Sequence, residues 1–169
     1  MMEMRVEFSR GAQGRICGWI ATPPHRRAFE GTTMAAGRDL PHDLMQFTIE
    51  RALDIRNGFW GLLAHGASFT SVRGRRPTQE GLALARQHQD ALAQVETVVN
   101  AHATAWRRGE DTPLRATLDV MYARWLALAE GERLALTWPV QPLPDAAART
   151  RLPHVARQVR SRRGRRGVA

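Results

Sequence analysis

The sequence predicts an α+β fold in which a small antiparallel β-sheet of about three strands packs against two long amphipathic helices and one or two shorter ones. Two short segments, one near the start of the chain and one near residue 135, alternate apolar and polar residues with the period of a half-buried strand. Between them, two long segments repeat apolar residues every three or four positions, as the buried face of a helix does. A sheet covered by helices on one face satisfies both patterns.

The first strand is predicted in MRVEFSR, where Met4, Val6 and Phe8 alternate with polar residues. RICGWIA is the second strand, and the glycines of the intervening GAQG suit a hairpin. RAFEGTTM is either a third strand or a loop. ERLALTW alternates again through Leu134 and Leu136, and we expect it to return and pair with the first hairpin, because two strands alone would be marginally stable.

The first helix is predicted to begin at Pro41, with Asp39 as its N-cap, and to end at Asn57-Gly58. A short helix follows in FWGLLAHGASF and is closed by Gly66. Both boundaries rest on residues that favour helix ends for a physical reason: a side-chain oxygen accepts free amides at the start, and glycine adopts the left-handed backbone at the finish.

The third predicted helix is long, because its apolar stripe continues without interruption from a cap at Thr78 to about Arg108. Thr112 and Pro113 then provide a cap and a first-turn proline for another amphipathic helix, which Gly131 stops. The short link RRGEDTP favours an antiparallel pair of helices.

The charge divides the chain into a domain at 1–143 and an Arg-rich, flexible tail at 144–169. All 25 basic residues are arginine, and the net charge is +9. Eight of these arginines and none of the 16 acidic residues follow Asp145, which leaves the first 145 residues with a net charge of +1. The basic balance therefore belongs to the tail, and an arginine bias of this kind also suits a GC-rich coding sequence.

Cys17 is the single cysteine, which excludes an intramolecular disulfide and a Cys-based zinc finger. Its place in an apolar strand favours buried packing over a nucleophile. No segment approaches the roughly 18 apolar residues of a membrane span, and the first residues lack the order of a signal peptide. We therefore expect a cytoplasmic protein with no membrane partner.

A polar stripe on the first helix is the candidate site. His42, Gln46 and Glu50 lie at i, i+4 and i+8, Asp43 flanks them, and His65 follows a short connection. Together the five predict a small-ligand site, with His42 and Glu50 as metal ligands. The alternative is that these side chains bind nothing and have only a structural role, because the start of a helix attracts acidic side chains and can leave them in solvent. The stripe is not the HExxH of metalloproteases, and glutamine is a poor zinc ligand.

The segment LPHDLMQFTIERALDIRNGFWG resembles one found in small uncharacterised bacterial proteins, of the form LPHDLxHFxVE followed by GFWG. His42, Asp43 and Glu50 match the first half of that pattern, and GFWG matches the second. ERLALTW has a looser likeness. The family has no assigned activity, so the resemblance implies kinship and no reaction. Gln46 stands where the pattern has a second histidine, which weakens a metal site built on a histidine pair.

Several sequence motifs of nucleotide-binding proteins and hydrolases are absent from this sequence. No phosphate-binding glycine loop of the GxxxxGK[ST] or GxGxxG type occurs, and no GxSxG elbow. The loops RGRRPT and RRGEDTP could hold an anion, although solvated turns explain them as well. The sequence assigns neither a reaction nor a cofactor.

The expected function is thus ligand or metal binding at the helix 41–55 stripe, in a protein of otherwise unknown biochemical activity. The alternative is association with nucleic acid through the tail, whose arginines would neutralise phosphates with little sequence preference. A homo-oligomer built on the apolar helix stripes is a further possibility. The tail residues concerned are Arg157, Arg160, Arg162, Arg163, Arg165 and Arg166.

Overall fold

The computed structural model describes residues 2–11, 16–34 and 39–147. Within them, a four-stranded antiparallel sheet and five helices form the predicted α+β fold. The strands are β1 Glu3–Arg10, β2 Ile16–Thr22, β3 Phe29–Met34 and β4 Arg133–Pro139. Their order across the sheet is β3-β2-β1-β4.

The late strand returns to the first hairpin, as the sequence predicts. β4 pairs with β1 along its whole length, with Val6 opposite Leu136 and Phe8 opposite Leu134. RAFEGTTM is a strand, so the sheet has four strands where about three are predicted. The GAQG hairpin link lies largely outside the described residues.

One face of the sheet forms the core, because alternate residues of each strand point to it. Met4, Val6 and Phe8 of β1 are fully buried there, whereas Glu3 and Arg5, which alternate with them along the strand, are exposed. Both edges are also occupied. The guanidinium of Arg51 donates to the carbonyl of Thr137 on β4, and Arg73 pairs with Glu30 on β3. Covered edges discourage pairing with a second chain.

The helices are α1 His42–Ala52, α2 Phe59–Ala64, α3 Gln79–Gln87, α4 Gln89–Arg107 and α5 Arg115–Leu126. The prediction of one unbroken helix from Thr78 to Arg108 is wrong. His88 leaves helical geometry, with φ −103° and ψ 16°, and its side chain is buried at the bend. At its other end α3 is held by a hydrogen bond in which the Gly81 carbonyl accepts the amide of Ser68.

The predicted caps have mixed outcomes. Thr78 caps α3 as expected, accepting the amide of Gly81 at 2.9 Å. Asp39 does not cap α1, because its carboxylate accepts instead from Leu40 N and from Arg107 Nε at 2.5 Å, and Pro41 holds the N-cap position.

The predicted helix ends differ from those observed. α1 ends at Ala52, before the predicted Asn57-Gly58. Gly66 closes α2 with φ +86°, as expected, whereas Gly131 lies in the turn before β4 rather than at the end of α5. No helix in the described part of the chain is both long and apolar enough to cross a membrane.

Candidate functional site

Glu50 of α1 is completely buried, at 0 % exposure. The seven residues from Leu44 to Glu50 are all buried, because α1 lies between the sheet on one side and α4 and α5 on the other. The predicted polar stripe therefore enters the interior after its first turn. Glu50 has no solvent-facing atom with which to reach an external ligand.

Burial raises the pKa of Glu50 well above its usual value. The Trp60 and Phe59 amides and the Gln46 side chain favour the charged form, and the Glu96 carboxylate opposes it. These donors lie near the carboxylate without reaching hydrogen-bond geometry, so neither oxygen has a partner among the described residues. Desolvation of a carboxyl without firm donors favours its neutral form, which is why the pKa of Glu50 is raised.

The GFWG segment is fitted around this carboxyl. A Cβ on Gly58 would overlap Glu50 Oε1, and a Cβ on Gly61 would overlap the carbonyl oxygen of Arg56. Glycine is required at both places because the approach is too close for any side chain. Trp60 between them is fully buried and packs edge-on against Phe8 at 5.6 Å. The GFWG segment therefore packs on the core, and Glu50 lies in the contact between α1 and this segment.

His42 and Asp43 form a separate cluster at the exposed start of α1. Asp43 accepts from Trp19 Nε1 at 2.8 Å and lies 3.3 Å from His42 Nδ1. The other ring nitrogen of His42 lies 3.7 Å from Glu96 of α4. The hydrogen bond to Asp43 raises the pKa of His42, and Glu96 adds to the effect, while burial and Arg107 oppose it.

The five predicted site residues do not converge on one point. Gln46 lies beside Glu50 inside the fold, His42 and Asp43 are at the surface, and His65 lies beyond α2. Among residues 2–11, 16–34 and 39–147, no group of three or more His, Cys, Asp or Glu side chains is placed to hold a metal ion. Ligand or metal binding at the stripe stays a prediction.

His65 has the richest surroundings of the five. Its Nε2 lies 2.7 Å from the carbonyl oxygen of Gln141, which can only accept, so Nε2 carries the proton. On one side His65 and Glu50 line a cavity of about 20 Å³ beneath Trp138, the size of a single water site. On the other side His65 lines a much larger cleft.

This cleft, called the basic cleft below, has a volume of about 620 Å³. Its polar lining comes from Arg26, His65, Arg75, Thr78 and Glu80, and Ala83 and Leu84 form an apolar wall. A volume of several hundred Å³ with a few converging polar groups is typical of a small-molecule site.

Two loops that are distant in sequence meet at the basic cleft. One is the β2–β3 turn and the other is the loop between α2 and α3. Arg73 of the latter forms two backbone hydrogen bonds, of 2.9 and 2.7 Å, with Glu30 at the edge of β3. This pairing sets the Arg75 guanidinium over the Phe29 ring, 5.4 Å from its centroid. The guanidinium of Arg26, from the β2–β3 turn, lies against the Cα of Gly66.

The result is that Arg26 and Arg75 line one cleft, with Arg27, Arg73 and Arg76 close to them along the chain; these five residues are called the arginine cluster below. None of the five forms an ion pair with a carboxylate within the described ranges, whereas Arg5, Arg56 and Arg107 elsewhere do. In the sequence these arginines belong to two separate basic segments, and nothing there indicates that the segments meet. The pairing of Arg73 with Glu30 brings them together, and no periodicity in the sequence signals it.

Two other histidines are buried and belong to the core. His88 and His102 are 4 % and 2 % exposed, and burial lowers the pKa of each. His102 Nδ1 pairs with the hydroxyl of Thr112 at 3.2 Å. Cys17 is also buried, as expected, and burial with help from Asp43 raises the pKa of its thiol to about 12, which makes it a poor nucleophile.

Comparison with family models, with curated proteins and with solved structures gives no match for this chain. The resemblance to proteins with an LPHDLxHFxVE and GFWG segment stays a prediction.

Proposed function

We propose that this protein binds a small organic ligand, and that the ligand occupies the basic cleft. The observation that carries the proposal is the cleft itself, an open space of about 620 Å³ between two loops and one side of α3. His65, one of the residues that the sequence singles out, lines it and is fixed by its bond to Gln141. Because the Nε2–H of His65 is taken by Gln141, the neutral ring has Nδ1 left as a hydrogen-bond acceptor, and a fixed acceptor beside an apolar wall can orient a ligand.

The basic cleft is better suited to this role than the stripe on α1. Gln46 and Glu50 are buried, so a ligand at the stripe would reach only His42, Asp43 and their neighbour Glu96. Those three side chains lie on an open surface and already contact one another. A ligand there would gain little burial, whereas ligand sites bury most of their occupant.

Amide chemical shifts of the full 19.0 kDa chain test the location of binding. A diverse set of small fragments is added, and we expect shifts at Gly66, Ser68 and Gly81, which border the basic cleft. Shifts confined to His42 and Asp43 would place binding at the stripe instead. An absence of localised shifts would contradict both sites.

A pair of matched variants completes the test. Ala83→Trp puts a large ring on the wall of the basic cleft, and Ala93→Trp puts the same ring on the exposed face of α4. We expect the first variant to abolish fragment binding and the second to preserve it, with both proteins retaining the wild-type melting temperature within a few degrees. Equal binding by the two would refute the cleft as the site.

Association with nucleic acid is a second candidate, favoured by the arginine cluster, which has no carboxylate partner among residues 2–11, 16–34 and 39–147. The tail arginines Arg157, Arg160, Arg162, Arg163, Arg165 and Arg166 lie outside the described residues, so their part in it rests on sequence. Replacing these six by glutamine in the full chain should weaken binding to a single-stranded oligonucleotide and flatten its salt dependence, because fewer counterions are released. Unchanged binding and slope would remove the tail from the proposal.

A further inference from the structure

We infer that the ligand of the basic cleft is an oxyanion, specifically a small organic molecule carrying a phosphate group. This inference rests on the proposed function and names the chemical class of its ligand. Three features of the described residues carry it: two guanidinium groups without acidic partners, the first turn of a capped helix, and an apolar wall beside them.

The guanidinium groups of Arg26 and Arg75 are available to an anion. Neither forms an ion pair with a carboxylate in the described parts of the chain. Arg75 Nη1 is buried and has no hydrogen-bond partner there. A buried cationic donor without an acceptor is costly, and a planar guanidinium is suited to phosphate oxygens. A small rotation of Arg75 that pairs this donor with a bound oxyanion would remove the cost.

The first turn of α3 adds partial positive charge on the same side. α3 has nine residues, and Thr78 and Gly81 at its start both line the basic cleft. The Thr78 hydroxyl already accepts the amide of Gly81, and the amides of Gln79 and Glu80 precede the first intrahelical bond. Free amides at a helix start favour an anion nearby.

The size and the wall of the basic cleft favour an ester over free phosphate. A phosphate group alone would fill a small part of 620 Å³. Ala83 and Leu84 offer an apolar surface for the remainder of an organic molecule. Glu80 also lines the cleft, and its negative charge repels an anion. Removing this charge should therefore strengthen binding of an anionic ligand, the opposite of removing an arginine.

Titration calorimetry on the full chain uses four probes: inorganic phosphate, phenyl phosphate, benzoate and benzyl alcohol. We expect phenyl phosphate to bind most tightly, inorganic phosphate and benzoate more weakly, and benzyl alcohol weakest. Arg26→Gln and Arg75→Gln should each weaken phenyl phosphate binding by about tenfold or more, the usual cost of a lost charge-assisted hydrogen bond. Glu80→Gln should tighten it.

Arg27→Gln and Arg76→Gln are the matched controls, because each removes the same charge from the same loop at a residue that does not line the cleft. We expect these controls to change phenyl phosphate affinity by less than about threefold, the range of a screened surface charge. Equal losses in the controls and the lining variants would overturn the inference, since attraction would then be a property of the whole basic surface. Melting temperatures of all variants verify folding.

The remaining outcomes separate this inference from the proposed function. Tight binding of benzyl alcohol in the cleft, with no gain from the phosphate group, would refute the oxyanion and leave the cleft as a ligand site. No binding of any probe, with no fragment shifts at the cleft, would refute both. An oligonucleotide that binds more tightly than phenyl phosphate, and loses affinity in all four arginine variants alike, would refute the small ester and favour nucleic acid.

Discussion

Replacing Glu50 by glutamine should change how the stability of the fold depends on pH. Glutamine has nearly the shape of a protonated glutamic acid and cannot ionise. In the folded wild-type chain burial raises the pKa of Glu50 well above 4.5, its ordinary value, so that Glu50 stays protonated to higher pH there than in the unfolded chain. The folded state therefore binds more protons than the unfolded state, and the wild-type chain loses stability as pH rises above 4.5.

The size of the effect follows from this proton difference. Below pH 4.5 both states are protonated, and Glu50 costs nothing through ionisation. Above it, while the folded state keeps the proton, the wild-type chain loses about 1.4 kcal/mol per pH unit relative to Glu50→Gln. The variant should therefore gain on the wild type at this rate over the pH range in which folded Glu50 stays protonated, and each pH unit is a large part of a typical folding free energy.

Urea unfolding at pH 5, 6, 7 and 8 measures this difference as a slope. The slope is informative because any constant cost of burying the amide cancels from it, and so do the contributions of other titrating groups present in both proteins. Glu130→Gln, at an exposed residue, is the matched control and should run parallel to the wild type at every pH.

Parallel stability curves for Glu50→Gln and the wild type would refute the reasoning. They would mean that Glu50 ionises in the folded protein much as it does in the unfolded chain, through firm hydrogen bonds to the α2 amides. A variant that loses stability relative to the wild type as pH rises would contradict it more strongly.

Three further predictions concern packing, acid stability and the metal hypothesis. Gly61→Ala should destabilise the fold by about 1–3 kcal/mol in urea unfolding, because its Cβ meets the Arg56 backbone; wild-type stability would contradict this close approach. Burial lowers the pKa of His102, so its stabilising effect is present above pH 6.5 and is lost as pH falls. His102→Asn should therefore lose less stability than the wild type between pH 6.5 and 5, and an equal loss would exclude His102 as a cause. If a metal binds at His42 and Glu50, zinc should release heat of binding in titration calorimetry of the wild-type chain, and this heat should disappear in His42→Ala. Identical titrations of the two proteins would exclude this metal site.

Local patterns in the sequence determine much of the fold. The alternation of Met4, Val6 and Phe8 in β1 and of Leu134 and Leu136 in β4 predicts strands with one buried face, and the structure confirms it. A period-two pattern fixes which side chains enter the core, so a one-residue slip between the two strands would turn one apolar set to solvent. The cap at Thr78 is equally local, because its hydroxyl needs only the amide three residues ahead.

The tertiary structure decided what local patterns cannot encode. The apolar stripe continues through His88, so its periodicity does not signal the break in the helix there. The period of α1 places Glu50 on a polar face, but the sheet and two helices enclose that face, because α1 is covered from both sides.

The candidate site divides in the same way. Composition and loops reveal that arginine is abundant near residues 26 and 75, and the position of His65 after a short helix is visible in the sequence. Their meeting depends on the Glu30–Arg73 pairing and on Gly66, whose missing side chain admits the Arg26 guanidinium. The strands, their buried faces and the Thr78 cap could be predicted from the sequence, because they depend on neighbours along the chain. Which charged groups share a cleft, and which carboxyl lies in the core, depends on contacts between distant segments and was decided by the tertiary structure alone.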